Sequence, residues 1–366
     1  MRNKVIDFLR GIAILLTLFH HFGFSGIYLF DIIKKLGWIG VDLFFVLSGF
    51  LVSGLIFDEY RDTNKFDGKR FLIRRGFKIY PSFWIYLIAN TTYQYVILGL
   101  FDVQQVLRQF LFIQNYFYDN DHTWSLAVEE HFYFMIVIIF TILIKKSKNL
   151  NNTIIYGSLG IILYGILSKC IMFWANPDFS RHTHLFPTHL RIDALFVGLL
   201  IAHVWRTDFS LFRNILKYKY LAYTVVLCIL ILPLIWNINE YPQQLYMSSF
   251  GLTLLSLAFG ILLILFLNEA NLESNISKII GKIGFKAIST IGLYSYSIYL
   301  WHALANHIMY KLFEKGENNQ NGYFVFITYM SFSIFLGIFM GKTIEYPILK
   351  VRERYFPKKA NKPIAL

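Results

Sequence analysis

Charge is what this chain of 366 residues has least of. Only 16% of the residues are charged, against 56% hydrophobic and 19% aromatic. That is too apolar for a soluble protein of this size and typical of polytopic membrane proteins. Cysteine is scarcer still. Cys170 and Cys228 both lie in apolar segments, offer no metal-ligand spacing and argue against a disulfide framework. Acidic residues number 22 against 35 basic ones, for a net charge of +13. Such an excess can signal nucleic acid, but here Lys and Arg sit at the ends of apolar segments. They read as topology signals and as attraction to anionic headgroups or ligands, so no nucleic-acid partner is expected. The pattern of a cleavable signal peptide is missing too. The first apolar segment carries Asp7 and Arg10, and it has a histidine pair where a small-residue cleavage site belongs.

What is present is a series of apolar segments of bilayer-spanning length. Ten can be placed, near 6–23, 38–57, 80–100, 124–144, 153–173, 189–205, 220–237, 246–267, 290–310 and 323–344. An all-α polytopic fold is expected. With the N-terminus inside, the internal loops collect Arg2 and Lys4, the basic run from Arg61 to Lys78, and Lys145, Lys146 and Lys148. They also collect the lysines and arginines near 206–219 and 278–286, and a basic tail from Lys350. Every internal loop is then more basic than its external neighbours, which favours N-in/C-in. The expected organisation is a transmembrane domain over 1–350 and a basic cytoplasmic tail over 351–366, with no room for a second folded domain. KRFLIRRGFKIYP (69–81) suits a helix lying on the inner surface, with Pro81 opening the third span, and VQQVLRQFLFIQNYF suits one outside.

Within this apolar background the ionisable residues are few and ordered. Arg10 and His21 are eleven residues apart, and eleven steps of about 100° return a helix to within about 20° of its starting direction, roughly 16 Å further on. The two share one face, and His20 lies about 100° away from His21. An ionisable group in a membrane helix is costly enough to suggest a functional site. His21 ends span 1 and Asp42 starts span 2, so a hairpin brings them together. A carboxylate bonded to an imidazole sets its tautomer and leaves the other nitrogen to take a proton from a hydroxyl. Asp42 could equally pair with Lys34 or Lys35.

TWSLAVEEHFYF places Ser125, Glu129 and Tyr133 on one face of span 4 and Glu130 beside them, just after Trp124. The carboxylates could serve as acid/base groups or pair with Arg191. Arg191 and Asp193 point to different faces and are expected to find partners inside the bundle. His302 follows YSYSIYLW in span 9. Arg74, Arg75 and Lys78 form an inner basic cluster that would suit a phosphorylated ligand or anionic lipid.

These stretches together resemble the membrane-bound acyltransferase-3 family, bacterial enzymes that O-acylate surface polysaccharides. The resemblance rests on DFLRGIAILLTLFHH, GVDLFFVLSGFLVSGLI with Ser48, FLIRRGFKIYP, TWSLAVEEHFYF, LRIDALFVG, GLYSYSIYLWH and IEYP with Glu345, in the family's order from residue 6 to 347. It implies a cytoplasmic acyl-CoA donor, acetyl-CoA or a close relative, and no metal. The acceptor it implies is a hydroxyl of a surface glycan or lipid-linked oligosaccharide on the far side of the bacterial inner membrane. Arg10 and His21 map onto the family's Arg/His pair, and Arg75 and Lys78 onto its Arg-x-x-Arg cluster. Lys78 departs from that pattern by losing the bidentate fork, and His131 stands where Gln is expected. The resemblance is to stand-alone members without a fused hydrolase-like domain, some of which hand the acyl group to a soluble extracytoplasmic partner. His21 would act as base or as transient acyl carrier, oriented by Asp42 or Glu129. A proton-coupled flippase or secondary transporter is the competing reading of the same buried groups.

Overall fold

The computed structural model describes residues 3–22, 28–117, 122–235, 243–269, 272–314 and 322–357, and among them all regular structure is helical. The helices are α1 Lys4–His21, α2 Tyr28–Leu36, α3 Ile39–Thr63, α4 Gly68–Tyr93, α5 Val103–Phe110, α6 Trp124–Lys146, α7 Leu150–Ala175, α8 Arg181–His184 and α9 Thr188–Thr207. They continue with α10 Arg213–Lys217, α11 Lys219–Ile235, α12 Gln243–Tyr246, α13 Leu252–Asn268, α14 Leu272–Leu293, α15 Ser295–Glu314, α16 Gly322–Met340 and α17 Tyr346–Tyr355. A helix covers the core of every expected span. Among the described residues six are long and apolar enough to cross a membrane: Ile39–Thr63, Trp124–Lys146, Leu150–Ala175, Thr188–Thr207, Met247–Asn268 and Gly322–Tyr355. Lys219–Ile235 is apolar but shorter. α1, α4 and α15 carry the polar residues singled out above, Arg10 and His21, Arg74 to Lys78, and His302. Most of the expected basic tail, 358–366, lies outside the described residues.

The chain divides into two compact units. The first comprises Met1–Phe44, Lys78–Phe110 and Glu269–Leu349, and the second Phe45–Phe77, Leu111–Asn268 and Lys350–Leu366.

In the first unit α1 is built to start and stop where it does. The Asn3 side chain caps it by accepting from the Val5 and Ile6 N–H groups at 2.9 and 3.4 Å, and Asp7 lies in its first turn. His20 and His21 lie in its last turn, where a positive ring would suit the helix dipole. α1 packs along α14, which is kinked at Gly281 (φ +79°). That contact depends on missing side chains. A Cβ on Gly11 would lie 2.1 Å from the Ile288 carbonyl oxygen, and one on Gly292 would lie 1.7 Å from that of Asp7. Close backbone approach is how membrane helices gain packing energy without a hydrophobic drive. The separate surface helix expected over 69–81 is not formed. α4 runs unbroken through Pro81, which removes only one helical hydrogen bond. Two residues before the proline, the Tyr296 hydroxyl donates to the Ile79 carbonyl at 2.8 Å and ties this stretch of α4 to α15.

In the second unit the central element is α9, buried along nearly its whole length. It meets α3 through Gly49 and Gly198, where a Cβ would stand 2.0 Å from the Leu195 oxygen and 2.1 Å from the Val46 oxygen. At its far end Arg206 grips Asp58 of α3 through two nitrogens, at 2.9 and 3.2 Å. α7 and α13 pack on its other sides.

Candidate functional site

The first unit holds a histidine site built on α1 and α15. Arg10 Nε donates to Ser295 Oγ at 3.1 Å, at the start of α15. At the other end of α1 the rings of His21 and His302 lie 4.9 Å apart, and Asn306 donates to the His21 carbonyl at 3.0 Å. Arg10 therefore meets residue 295 and His21 meets 302 and 306, so α1 and α15 run in the same direction.

The protons on the ring are set by the backbone. His21 Nδ1 lies 2.9 Å from the Thr17 carbonyl oxygen, one turn earlier on its own helix. A carbonyl only accepts, so Nδ1 carries hydrogen, and in the neutral ring the lone pair is on Nε2. His302 Nδ1 faces the Tyr299 carbonyl at 2.5 Å, and His20 Nδ1 faces that of Lys34 at 3.1 Å, with the same consequence. The sequence assigned the tautomer of His21 to Asp42 or Glu129, whereas the Nδ1 partner is Thr17 of α1. Asp42 is fully buried in the first turn of α3. Glu345 accepts from Ser297 of α15 at 2.7 Å, so α15 is the common partner of Arg10, His21 and Glu345.

The second unit holds a chain of polar groups that starts at Ser48. Its hydroxyl donates to Glu129 Oε1 at 2.9 Å, and Tyr133, one turn along α6, donates to Oε2. The Arg75 guanidinium lies 4.3 Å from the centre of the Tyr133 ring. Glu130 and Ser125 are buried on the same helix. The Arg191 guanidinium packs over Phe45 and Trp124, at 5.5 and 5.8 Å. Trp124 in turn stacks on Phe186 with centroids 4.6 Å apart. His131 Nδ1 is 2.6 Å from Thr188 Oγ1, which also accepts from Asn115. Arg74 is held by Glu353 at 2.8 Å, and Lys78 lies one turn further along α4.

Asp193 has a partner the sequence reading missed. Lys169 of α7 lies 2.6 Å from its Oδ2 and donates to Thr253 at 2.8 Å, while Thr253 donates to Asp193 at 2.5 Å. The lysine and aspartate side chains are 1% and 3% exposed. A solitary lysine in a 26-residue apolar helix was the available signal, since such a charge requires a partner. Ser295 and Asn306 were missed as well, because a small polar residue announces nothing until the opposing helix is known.

An acyltransferase domain model matches residues 3–342 of the chain. The chain belongs to the acyltransferase-3 family. Among its relatives is the protein named "Putative O-acetyltransferase SACOL0978" from Staphylococcus aureus strain COL, 27% identical over 94% of this chain and 57% of that protein. The O-acetyltransferase OatA of S. aureus strain NCTC 8325 is 24% identical over 97% of the chain and 59% of its own length. The chain thus spans somewhat under three-fifths of the length of these relatives. No solved structure matches it.

Proposed function

We propose that this member of the acyltransferase-3 family is an integral membrane O-acetyltransferase. It would move an acetyl group from acetyl-CoA, or a close relative, to a hydroxyl of a cell-surface polysaccharide or lipid-linked glycan. The observation that carries this reading is the His21 ring. With Nδ1–H committed to the Thr17 carbonyl, Nε2 holds the lone pair that a general base needs. His21 Nε2 removes the proton of the acceptor hydroxyl, and the oxygen attacks the thioester carbonyl carbon. The C–S bond then breaks, and coenzyme A leaves as a thiolate that takes up the proton from His21. Arg10 on the same helix and the Arg74/Arg75/Lys78 run on α4 supply cations for the donor. In the second unit Glu129, which accepts from Ser48 and Tyr133, and the buried Glu130 are the carboxylates assigned to the reaction in this reading.

The chain in this reading crosses the bacterial inner membrane ten times, with both termini in the cytoplasm. The shared direction of α1 and α15 and the placement of the basic loops support that topology. Whether a soluble partner completes the transfer follows from the acceptor assay. The test uses purified protein in nanodiscs with radiolabelled acetyl-CoA and a crude surface-glycan fraction. Wild type transfers label and His21→Ala does not. Absence of donor turnover by well-folded wild type would overturn the reading in favour of transport. Asp42→Asn is expected to lose acylation while inserting normally, and full activity would remove Asp42 from the site.

A further inference from the structure

In the second unit the last described turn of the chain closes over the basic start of α4. Arg74 donates to both carboxylate oxygens of Glu353, at 2.8 and 3.4 Å, and to the carbonyl of Phe356. Arg352 donates to the same carboxylate at 3.0 and 2.6 Å. Arg70 donates to the Pro357 carbonyl, and the Phe356 ring lies 5.8 Å from that of Phe77. Arg352 also sits in the electrostatic field of both Arg74 and Arg75. Nε of Arg75 is buried and without a hydrogen bond to any described residue.

Two features of this cluster point to a ligand. The first is charge: Arg74 and Arg352 share the one carboxylate of Glu353, and Arg75 next to Arg74 acts electrostatically on Arg352 as well. The second is exposure. The side chains of Arg74 and Arg352 are 16% and 17% exposed, whereas that of Glu353 is 42% exposed. The arginines lie behind, and the acid that occupies them faces out. A carboxylate held by two guanidinium forks is the protein's own imitation of a phosphate, and a diphosphate offers more charge and more acceptor oxygens to the same forks.

We propose that Arg74, Arg75 and Arg352 form a binding site for a phosphate-bearing anion, and that Glu353 with the Phe356–Pro357 segment fills it as a built-in competitor that the ligand displaces. The inference rests on reading Arg74 and Arg75 as donor-binding. It adds Arg352 to the site and gives the C-terminal end of α17 the role of a latch. A soluble diphosphate and an anionic lipid headgroup share the required chemistry.

The experiment uses the full chain in nanodiscs, with inorganic pyrophosphate as the probe. Hydrogen exchange at amides 353–357 is followed beside pyrophosphate affinity. Exchange in wild type should rise as pyrophosphate saturates. Glu353→Gln should bind the probe on the order of tenfold more tightly, and Arg352→Gln on the order of tenfold more weakly. Wild-type exchange that neither pyrophosphate nor phosphatidylglycerol raises overturns the proposal, as does unchanged pyrophosphate affinity in a folded Glu353→Gln variant where pyrophosphate does release the segment. The wild-type measurement decides the matter if the variant fails to fold. Phosphatidylcholine discs are compared with discs containing phosphatidylglycerol. Release by phosphatidylglycerol alone supports the site with a lipid as its ligand, release only by pyrophosphate supports a soluble one, and release by neither overturns it. Coenzyme A that binds no better than pyrophosphate would sink the donor reading and leave the latch. Full acetyl transfer with unaltered exchange would sink the latch and leave the donor reading.

Discussion

The histidine site of the first unit and the lysine–aspartate cluster of the second are both polar islands in apolar helices, yet they are finished differently. Lys169, Asp193 and Thr253 form a closed triangle in which each side chain meets the other two, and almost no surface is left on the ions. Such a cluster holds α7, α9 and α13 in register. At His21 the Thr17 carbonyl fixes the proton on Nδ1, and the ring is half-buried beside His302, whose Nδ1 likewise faces a backbone carbonyl. A fully satisfied ion pair suits structure, and an imidazole with a fixed proton on one nitrogen and a lone pair on the other suits proton transfer.

The sharpest way to break this comparison is His21→Ala. Loss of a general base removes about 10²- to 10⁴-fold in rate, so acetyl transfer should fall by that much while the melting temperature in detergent stays near wild type. A stable, active His21→Ala protein would abolish the distinction. Lys169→Met tests the other side. It leaves Asp193 buried without its cation, which costs about 3–5 kcal/mol, so the thermal midpoint and yield should drop. The specific activity of the surviving folded fraction should change little, and a catalytic defect without destabilisation would move Asp193 into the reaction.

Glu129→Gln lies between the two. The amide keeps the shape but weakens charge-assisted bonds from Ser48 and Tyr133, which predicts about 1–2 kcal/mol of destabilisation and a smaller rate loss than in His21→Ala. A rate loss as large as that of His21→Ala would make Glu129 a participant in proton transfer.

The smallest expected effect is at His184, the last residue of the short helix α8 between α7 and α9. Its Nε2 donates to the Asn176 carbonyl at 2.9 Å, and its Nδ1 accepts from the Ser180 N–H at 3.3 Å. Burial lowers its pKa below the ordinary 6.5, so the fold holds the ring neutral. The unfolded chain then binds the proton more readily. The contribution of His184 is complete above the unfolded pKa and is lost as pH falls from there through the lower folded value. Thermal midpoints measured at pH 7.5 and 5.5 should differ more for wild type than for His184→Gln. Equal differences would show that the ring does not titrate with unfolding.

Much of the helix plan was legible because apolar length and the ends of charge runs are local properties. The core of each expected span carries a helix, and the Arg10–His21 spacing needs only the helical repeat. The separate helix expected before Pro81 is absent because a proline removes a single helical hydrogen bond, and α4 continues through it. Lys169 is a single charge inside an apolar segment, and its partners Asp193 and Thr253 lie on other helices, so nothing in the local sequence names them.

The sequence by itself determined the all-helical class, the family, and which ionisable residues stand out against an apolar background, since these depend on composition, periodicity and order along the chain. Only the tertiary structure decided which groups meet: Arg10 with Ser295, His21 with Thr17 and His302, Asp193 with Lys169, and Arg74 with Glu353. Three of these pairings reach across 285, 281 and 279 residues or across separate helices. Polar side chains in an apolar medium take whatever donor or acceptor helix packing brings within reach, and that choice is not written in local sequence.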